Sequence, residues 1–337
     1  MVSFQPIATT TVGSFPRPRW LAETNRGSIK FRMEGEALAE ALDDSVVLVL
    51  AEQEELGLDL LTDGEQRRTN FIYHIASTWD GVDTKTLGHK EIFRNRVSPR
   101  ELPRIVGPVR RTRPAAVADV RFAKAHTKMP VKMQVPGPMT VVDSTADVHY
   151  HDEAALAMDV AAAVNAELRD LQAAGCDAVQ IDEPAMTRYH DKVRRYGAKA
   201  LDRCLEGITI PTIVHLCYGY PGGVGLQYEY EYGDLLPNLM ETRIGGFTVE
   251  FGRSGFEPKV LRACGDRLVM FGCIDPGPTP PPTVDEVKRR VGGALEHLDP
   301  KKVLLAPDCG LVTIPRELAR KKLEVMVRAA GELRRGV

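Results

Sequence analysis

In IVHLCYG (213–219), His215 and Cys217 stand two residues apart behind a short apolar run. Side chains alternate along a strand with period two, so the pair faces the same way, as two ligands of one metal would. Glu250 ends the run FTVE, and Cys309 comes just after VLLAP. At equivalent strand ends of a closed barrel, both can converge on the same point. One imidazole, two thiolates and a carboxylate suit Zn²⁺, which accepts N, S and O donors. A redox pair of Cys217 with Cys309 is the competing chemistry, and simple core packing the bland one; the neighbouring His and Glu favour the metal. Three anionic ligands leave such a zinc centre with one net negative charge, a poor generator of hydroxide. It can still lower the pKa of an incoming thiol from about 8.5 and hold it as thiolate. Thiol alkylation follows from this donor set more naturally than hydrolysis.

Eight apolar runs, all but VKMQVPG ending in residues that can do chemistry, follow one another: IATTTVGS, LDLLTDGE, VKMQVPG, DAVQIDEP, IPTIVHLCYG, GFTVEFG, LVMFGCIDP and VLLAPDCG. Segments around 34–56, 152–174, 191–206, 233–241, 256–264, 283–298 and 315–335 read as helices between them. The clearest has Leu156, Val160, Val164, Leu168 and Leu171 at helical spacing before Gly175. Alternating strands and helices predict a parallel sheet with crossovers, and eight strands close a (β/α)₈ TIM barrel. A doubly wound open sheet is the alternative. If the runs are barrel strands, then Ser14, Asp63, Glu65, Asp182, Glu183, His215, Cys217, Glu250, Asp275, Asp308 and Cys309 all lie on the C-terminal rim, where barrel enzymes place their chemistry. Residues 71–128 fit no single strand–helix unit and read as an insertion after the second strand. The expectation is one catalytic domain over 1–337.

The 337 residues are 43% hydrophobic and 27% charged, with a formal net charge of −2, which gives no electrostatic case for nucleic acid or an acidic membrane. No run approaches the roughly 18 apolar residues of a membrane span. The start lacks the basic-then-apolar pattern of a secretory signal, so a cytoplasmic protein is expected. Cys176, Cys204, Cys264 and Cys273 read as plain core or surface residues. His149 and His151 precede a helix beside acids that can cap it, RRTRP (110–114) reads as a solvated part of the insertion, and YEYEY (228–232) as an exposed loop or edge strand.

TTTVGSFPRP, EQEELGLDLLTDGEQRRTN, VPGPMT, AAGCDAVQIDEPAM, HLCYG, FTVEFGRSG and APDCGL run in order over nearly the whole chain. Together they resemble the C-terminal catalytic barrel of cobalamin-independent methionine synthase, in the superfamily that includes uroporphyrinogen decarboxylase. The resemblance implies that His215, Cys217, Glu250 and Cys309 are the zinc ligands. It also implies that Val12, Gly13 and Ser14 take the carboxylate of homocysteine and that Glu65 and Asp182 hold its ammonium.

Departures fall on the other side of the site. Ser98 and Pro99 stand where the family has an Arg-Cys pair, Ser144 near the place of its tryptophan, and Arg188 at its folate-contacting glutamate. Asp275 is retained as a catalytic residue, but Gly277 replaces the family's proton-donating histidine. The implied function is a zinc-dependent methyltransferase acting on homocysteine with a donor other than methyltetrahydrofolate. A methylated corrinoid protein or another partner could supply the methyl group. A second reading is a zinc-dependent alkyltransferase or C–S bond enzyme acting on another thiol, for example opening an epoxide onto coenzyme M or demethylating a catabolic substrate. A third is a zinc-stabilised partner subunit.

Overall fold

The protein is described by a computed structural model covering residues 4–25, 28–93, 97–218 and 231–336. Strand β1 (Ala8–Thr9) opens the barrel and is followed by a surface hairpin, β2 (Ala22–Asn25) with β3 (Ser28–Phe31). Helix α1 (Gly35–Leu56) then leads to LDLLTDGE. This run pairs only through single parallel bridges, Thr10 with Leu60 and Leu61 with Val131. Those bridges matter, because they join the two edges of the remaining sheet. A long antiparallel hairpin comes next, β4 (Trp79–Phe93) with β5 (Val97–Arg111), and after it α2 (Val117–His126). The chain returns to the barrel with β6 (Lys132–Pro136) and adds β7 (Ala146–Asp147) to the hairpin. It continues with α3 (Glu153–Ala173), β8 (Ala178–Asp182), β9 (Thr212–His215), β10 (Gly246–Glu250), β11 (Leu268–Ile274), α4 (Val284–Leu295), β12 (Val303–Pro307) and α5 (Arg316–Arg334). The seven-stranded parallel sheet has the order β1-β12-β11-β10-β9-β8-β6, and the Leu60–Leu61 bridges close it into the expected TIM-type barrel.

Strands with helices on one side and the barrel lumen on the other are buried on both faces, so their alternation sorts two interiors. Met133, Val135, Val179, Ile181, Val214, Phe247, Val249, Val269, Phe271, Val303 and Leu305 pack outward into the core shared with the helices. Ala8, Leu60, Ala178, Ile213, Met270 and Leu304 belong to a separate inner cluster. Residues two or four further along those inner faces are polar: Lys132 and Gln134, Gln180 and Asp182, His215, Thr248 and Glu250. The lumen is thus plugged by hydrocarbon below and lined with chemistry above.

Within 71–128 the insertion is narrower than expected. The hairpin is inserted, but α2 packs beside α1 and α3 as part of the helical shell. Fully buried Glu167 on α3 anchors the hairpin, accepting hydrogen bonds from Arg111 Nε (2.6 Å) and from the N–H groups of Ala115 and Ala116 (3.1 and 2.7 Å). On its other side Lys90 Nζ donates to the carbonyl oxygens of Val142 and Thr145 (2.5 and 3.2 Å), tying the hairpin to the barrel mouth. RRTRP is therefore partly structural, since Arg111 also pairs with Asp170 at 2.6 Å. His149 and His151 sit in a turn whose N–H groups are taken by Asp147, and Asp152 caps α3.

Glu167→Ala removes these acceptors together, leaving two buried or half-buried backbone N–H groups and the half-buried Arg111 guanidinium with a partner fewer. A loss of about 3 kcal/mol in unfolding free energy is expected, read as a lower denaturant midpoint; an unchanged midpoint would mean that the hairpin is held elsewhere.

Candidate active site

His215 ends β9, Cys217 lies two residues on, and Cys309 follows β12. One ligand atom from each lies within 4.8 Å of the others. Cys217 Sγ and Cys309 Sγ are 3.4 Å apart, and Cys309 Sγ is 3.8 Å from His215 Nε2. Two thiolates about 2.3 Å from one tetrahedral ion stand about 3.8 Å apart, and a thiolate and an imidazole nitrogen about 3.6 Å. The donor set therefore fits a small soft or borderline cation. A disulfide needs about 2.0 Å, which this geometry does not offer. Thr248 orients the ring: its Oγ1 lies 2.6 Å from His215 Nδ1 and accepts the Leu216 N–H at 3.0 Å, so Nε2 faces the thiols.

Glu250, at the end of β10, lies beside this cluster rather than within its radius. Its Oε1 accepts the Tyr218 N–H at 3.1 Å, and the Cys217 thiol hydrogen-bonds to its carboxylate. Burial pushes Glu250 up to about 8, and the negative charge of Cys309 adds to that. A hydrogen bond from Cys217 holds the Cys309 thiol well below the ordinary range, aided by His215 and opposed by burial. Asp308 is driven well up by burial and by Glu250, although its Oδ1 accepts the N–H groups of Gly252 (2.7 Å) and Phe251 (3.2 Å). These crowded anionic groups call for a cation. Tyr232 was missed: read as exposed in YEYEY, it is fully buried, donates its hydroxyl proton to Leu216 O (3.1 Å) and accepts the Glu250 N–H (2.9 Å). An aromatic-rich run carries no signal of that inward turn. Gly219, Tyr228, Glu229, Tyr230 and the side chain of Ser98 lie outside the described residues.

Beside the thiols is a second polar layer. Asp182 pairs in register with His215 on the neighbouring strand. Burial raises Asp182, and His215 is the largest influence pulling it back. Glu65 is raised to about 7 by burial and by Asp182 and Asp63, against Arg68 and Arg17. Glu65 has φ 53°, a left-handed conformation unusual for a residue with a side chain. Arg17 holds it there. Its guanidinium donates to the carbonyl oxygens of Glu65, Gln66 and Arg68, while Asp63 Oδ1 accepts the Glu65 N–H at 2.9 Å. Gly13 has no room for a side chain: a Cβ there would lie 2.8 Å from Glu65 Oε1. Val12 O accepts from Lys132 Nζ at 3.0 Å, and Ser14 packs against Gly310, next to Cys309. Lys132 is fully buried and lowered to about 7 by burial. It also donates to Gln180 Oε1, whose amide nitrogen donates to Asp182 Oδ1 at 2.7 Å. Val12, Gly13, Ser14, Glu65 and Asp182 thus lie close together at the barrel mouth with Lys132 and Gln180, two residues the sequence reading did not single out.

Glu183 points elsewhere. Its carboxylate accepts the N–H groups of Met139 and Thr140 (2.9 and 2.8 Å) and the Thr140 hydroxyl (2.8 Å), anchoring the short helix Pro138–Asp143. No arginine among the described residues pairs with it, and Gly137 is required because a Cβ would meet this carboxylate at 2.3 Å. Asp275 turns onto its own loop, Oδ1 accepting the Gly277 N–H (2.8 Å) and Oδ2 the Thr279 hydroxyl (2.9 Å). Arg188 pairs with Asp143 at 2.8 Å, and Ser144 O accepts from Tyr73 at 2.7 Å. The remaining cysteines, Cys176, Cys204, Cys264 and Cys273, are buried with thiols pushed up by burial, as core residues are.

Residues 7–332 match the family model described as cobalamin-independent synthase, catalytic domain. The chain is 30% identical over 323 residues to methionine synthase of Sulfolobus acidocaldarius, covering 96% of this chain and 91% of that protein. Against methionine synthase of Sulfurisphaera tokodaii it is 31% identical over 330 residues, covering 97% and 93%. The structure of a B12-independent methionine synthase from Shewanella sp. W3-18-1 in complex with selenomethionine superposes with a TM-score of 0.92 at 32% identity, covering 98% and 99%.

Arg17→Met removes the donor that serves three buried carbonyls. It is expected to lower unfolding free energy by about 3 kcal/mol, measured by denaturant titration; full stability would show that the Glu65 conformation needs no clamp.

Proposed function

The chain belongs to the cobalamin-independent methionine synthase family, and from that premise we propose that it transfers a methyl group to the sulfur of homocysteine at a zinc ion. His215, Cys217 and Cys309 would hold the zinc, with Glu250 as the fourth ligand. We read residues 1–337 as one catalytic domain. One observation carries the proposal: a thiol–imidazole donor set of metal-binding dimensions abuts a buried carboxylate pair, Glu65 and Asp182, in the same lumen. A thiol-bearing amino acid is the ligand that needs both. The alternative thiols have no ammonium to offer those carboxylates.

Zinc bound here supplies a Lewis acid that keeps a substrate thiol in its thiolate form near neutral pH. The rest is done by the chain. Glu65 and Asp182 take the substrate ammonium, the Val12–Ser14 segment faces its carboxylate, and Lys132 fixes both ends through Val12 O and Gln180. Held at both ends, the substrate is confined to one orientation of its sulfur, which accounts for much of the rate advantage of such a site. A donor other than methyltetrahydrofolate is supported by Arg188, which stands at the family's folate-contacting glutamate and is paired with Asp143. Asp275 is held by its own loop, and Gly277 offers no proton-donating side chain. The donor is therefore one whose leaving group departs without a proton from this loop.

Purified zinc-loaded protein should methylate homocysteine, and Cys309→Ala should retain less than about a tenth of both bound zinc and turnover. Methylcobalamin, methyltetrahydrofolate and a sulfonium, presented in parallel, identify the donor; efficient use of monoglutamyl methyltetrahydrofolate would refute the donor-side reading. Undiminished turnover in metal-free protein would refute the zinc.

Glu65 also sets a pH dependence. With its pKa raised to about 7, it is neutral below that pH and offers no charge to an ammonium group. Calorimetric affinity for methionine should fall about tenfold for each pH unit below about 7. Glu65→Gln should bind weakly with a flattened profile; the wild-type profile surviving in that variant would remove Glu65 from the ammonium site.

A further inference from the structure

Gln134 is fully buried, yet neither its Oε1 nor its Nε2 has a hydrogen-bond partner among the described residues. Such an amide is expensive to keep, since each unmet buried polar group costs about 1–3 kcal/mol. An apolar side chain of the same length would be more stable in its place. The layer beneath explains why no neighbour reaches it: Lys132, two residues back on the same inward face of β6, is occupied by Val12 O and Gln180 Oε1, and Gln180 by Asp182. Arg68 Nη1 takes the backbone oxygen of Gln134 (2.9 Å), not its amide. The amide lies against Gly13: a Cβ there would stand 3.1 Å from Gln134 Cδ and 2.8 Å from Glu65 Oε1. The missing side chain of Gly13 thus lets an unpaired amide and a carboxylate pack directly against the Val12–Ser14 backbone.

We propose that Gln134 is a substrate-contacting, specificity-determining residue that receives the α-amino-acid head group of the thiol substrate. Its Nε2 donates to the carboxylate and its Oε1 accepts from the ammonium. A primary amide alone carries a donor and an acceptor side by side without charge, which matches a zwitterion and neither half of it alone. This inference rests on the homocysteine reading and adds to it the residue that joins the two ends of the head group. It also predicts selection against thiols with a lone carboxylate or a lone amine, which leave half of the amide unpaired in a dry pocket.

Gln134→Met keeps length and volume and removes the amide. Measured with zinc-loaded full-length protein, its melting temperature should equal or exceed that of wild type. Affinity for methionine should fall 10- to 100-fold and KM for homocysteine should rise in parallel, with kcat at saturation within about threefold. The deciding readout is the coupling to ligand truncation. For 4-(methylthio)butyrate and 3-(methylthio)propylamine, each lacking one end, the loss caused by Gln134→Met should shrink to threefold or less. Equal losses for whole and truncated ligands, or unchanged methionine affinity, overturn the proposal, as does a lowered melting temperature with kcat and KM both impaired. Gln134→Asn, which withdraws the amide by one methylene, should show the same selective loss and serves if the Met variant does not fold. Wild-type protein that binds neither methionine nor homocysteine refutes the underlying reading instead, so the two failures are distinguishable.

Discussion

Everything at the mouth of this barrel depends on how charge is compensated in a lumen closed off from water. A carboxylate placed there loses its hydration, and it stays ionised only if the protein supplies a cation or donors in return. Asp63, Glu65, Asp182, Glu183, Glu250 and Asp308 are all buried. Four basic side chains are buried with them: Arg17, Arg68 and Lys132 lie toward Glu65 and Asp182, and Lys322 lies toward Asp275 and Asp308. Glu183 is satisfied by donors on the helix Pro138–Asp143.

The other half of the rim is arranged differently. Around Glu250, Asp308 and Cys309 the positive influences are His215, Arg253, Arg290 and Lys322, and burial dominates the shifts of both carboxylates. The Glu65–Asp182 side of the lumen is therefore the one more richly supplied with buried basic groups. The substrate orientation proposed above sets its ammonium beside the carboxylates of that side and its sulfur beside the cysteines of the other.

The clustering of His215, Cys217 and Cys309, with Glu250 beside them, was legible in the sequence, and for a physical reason. His215 with Cys217, Glu250 and Cys309 are rare residue types at strand ends, and period two fixes their common direction. The eight runs and most helices were legible too, although LDLLTDGE contributes bridges rather than a full strand and α2 was absorbed into the insertion. Lys132 and Gln134 were not. In VKMQVPG they alternate with Met133 and Val135, a pattern that in a half-exposed sheet puts the polar face in water. A closed parallel barrel has no such face, so the same alternation sends a lysine and a glutamine into the lumen. The closure that hides them is a tertiary fact, made by two bridges at Leu60 and Leu61. Arg17 and Tyr232 escaped notice likewise, because a residue that braces another's backbone has no pattern of its own.

The donor side shows what the family framework does when its usual partners are replaced. Asp275 keeps its place, but without a histidine at 277 its carboxylate folds back onto the loop, and Lys322 of α5 donates to Asp275 O, Gly277 O and the Thr279 hydroxyl from below. Arg188 is likewise taken up by Asp143, and the inserted hairpin reaches the same helix through Lys90. Arg188 and Asp275 are thus engaged locally, although Arg188 Nε and Ser144 Oγ have no hydrogen-bond partner among the described residues. The opposite wall keeps Gln134 unpaired at both ends of its amide. Unpaired buried polar groups therefore stand on both sides of the barrel mouth, and what sets Gln134 apart is its place against Gly13 beside the Glu65 carboxylate.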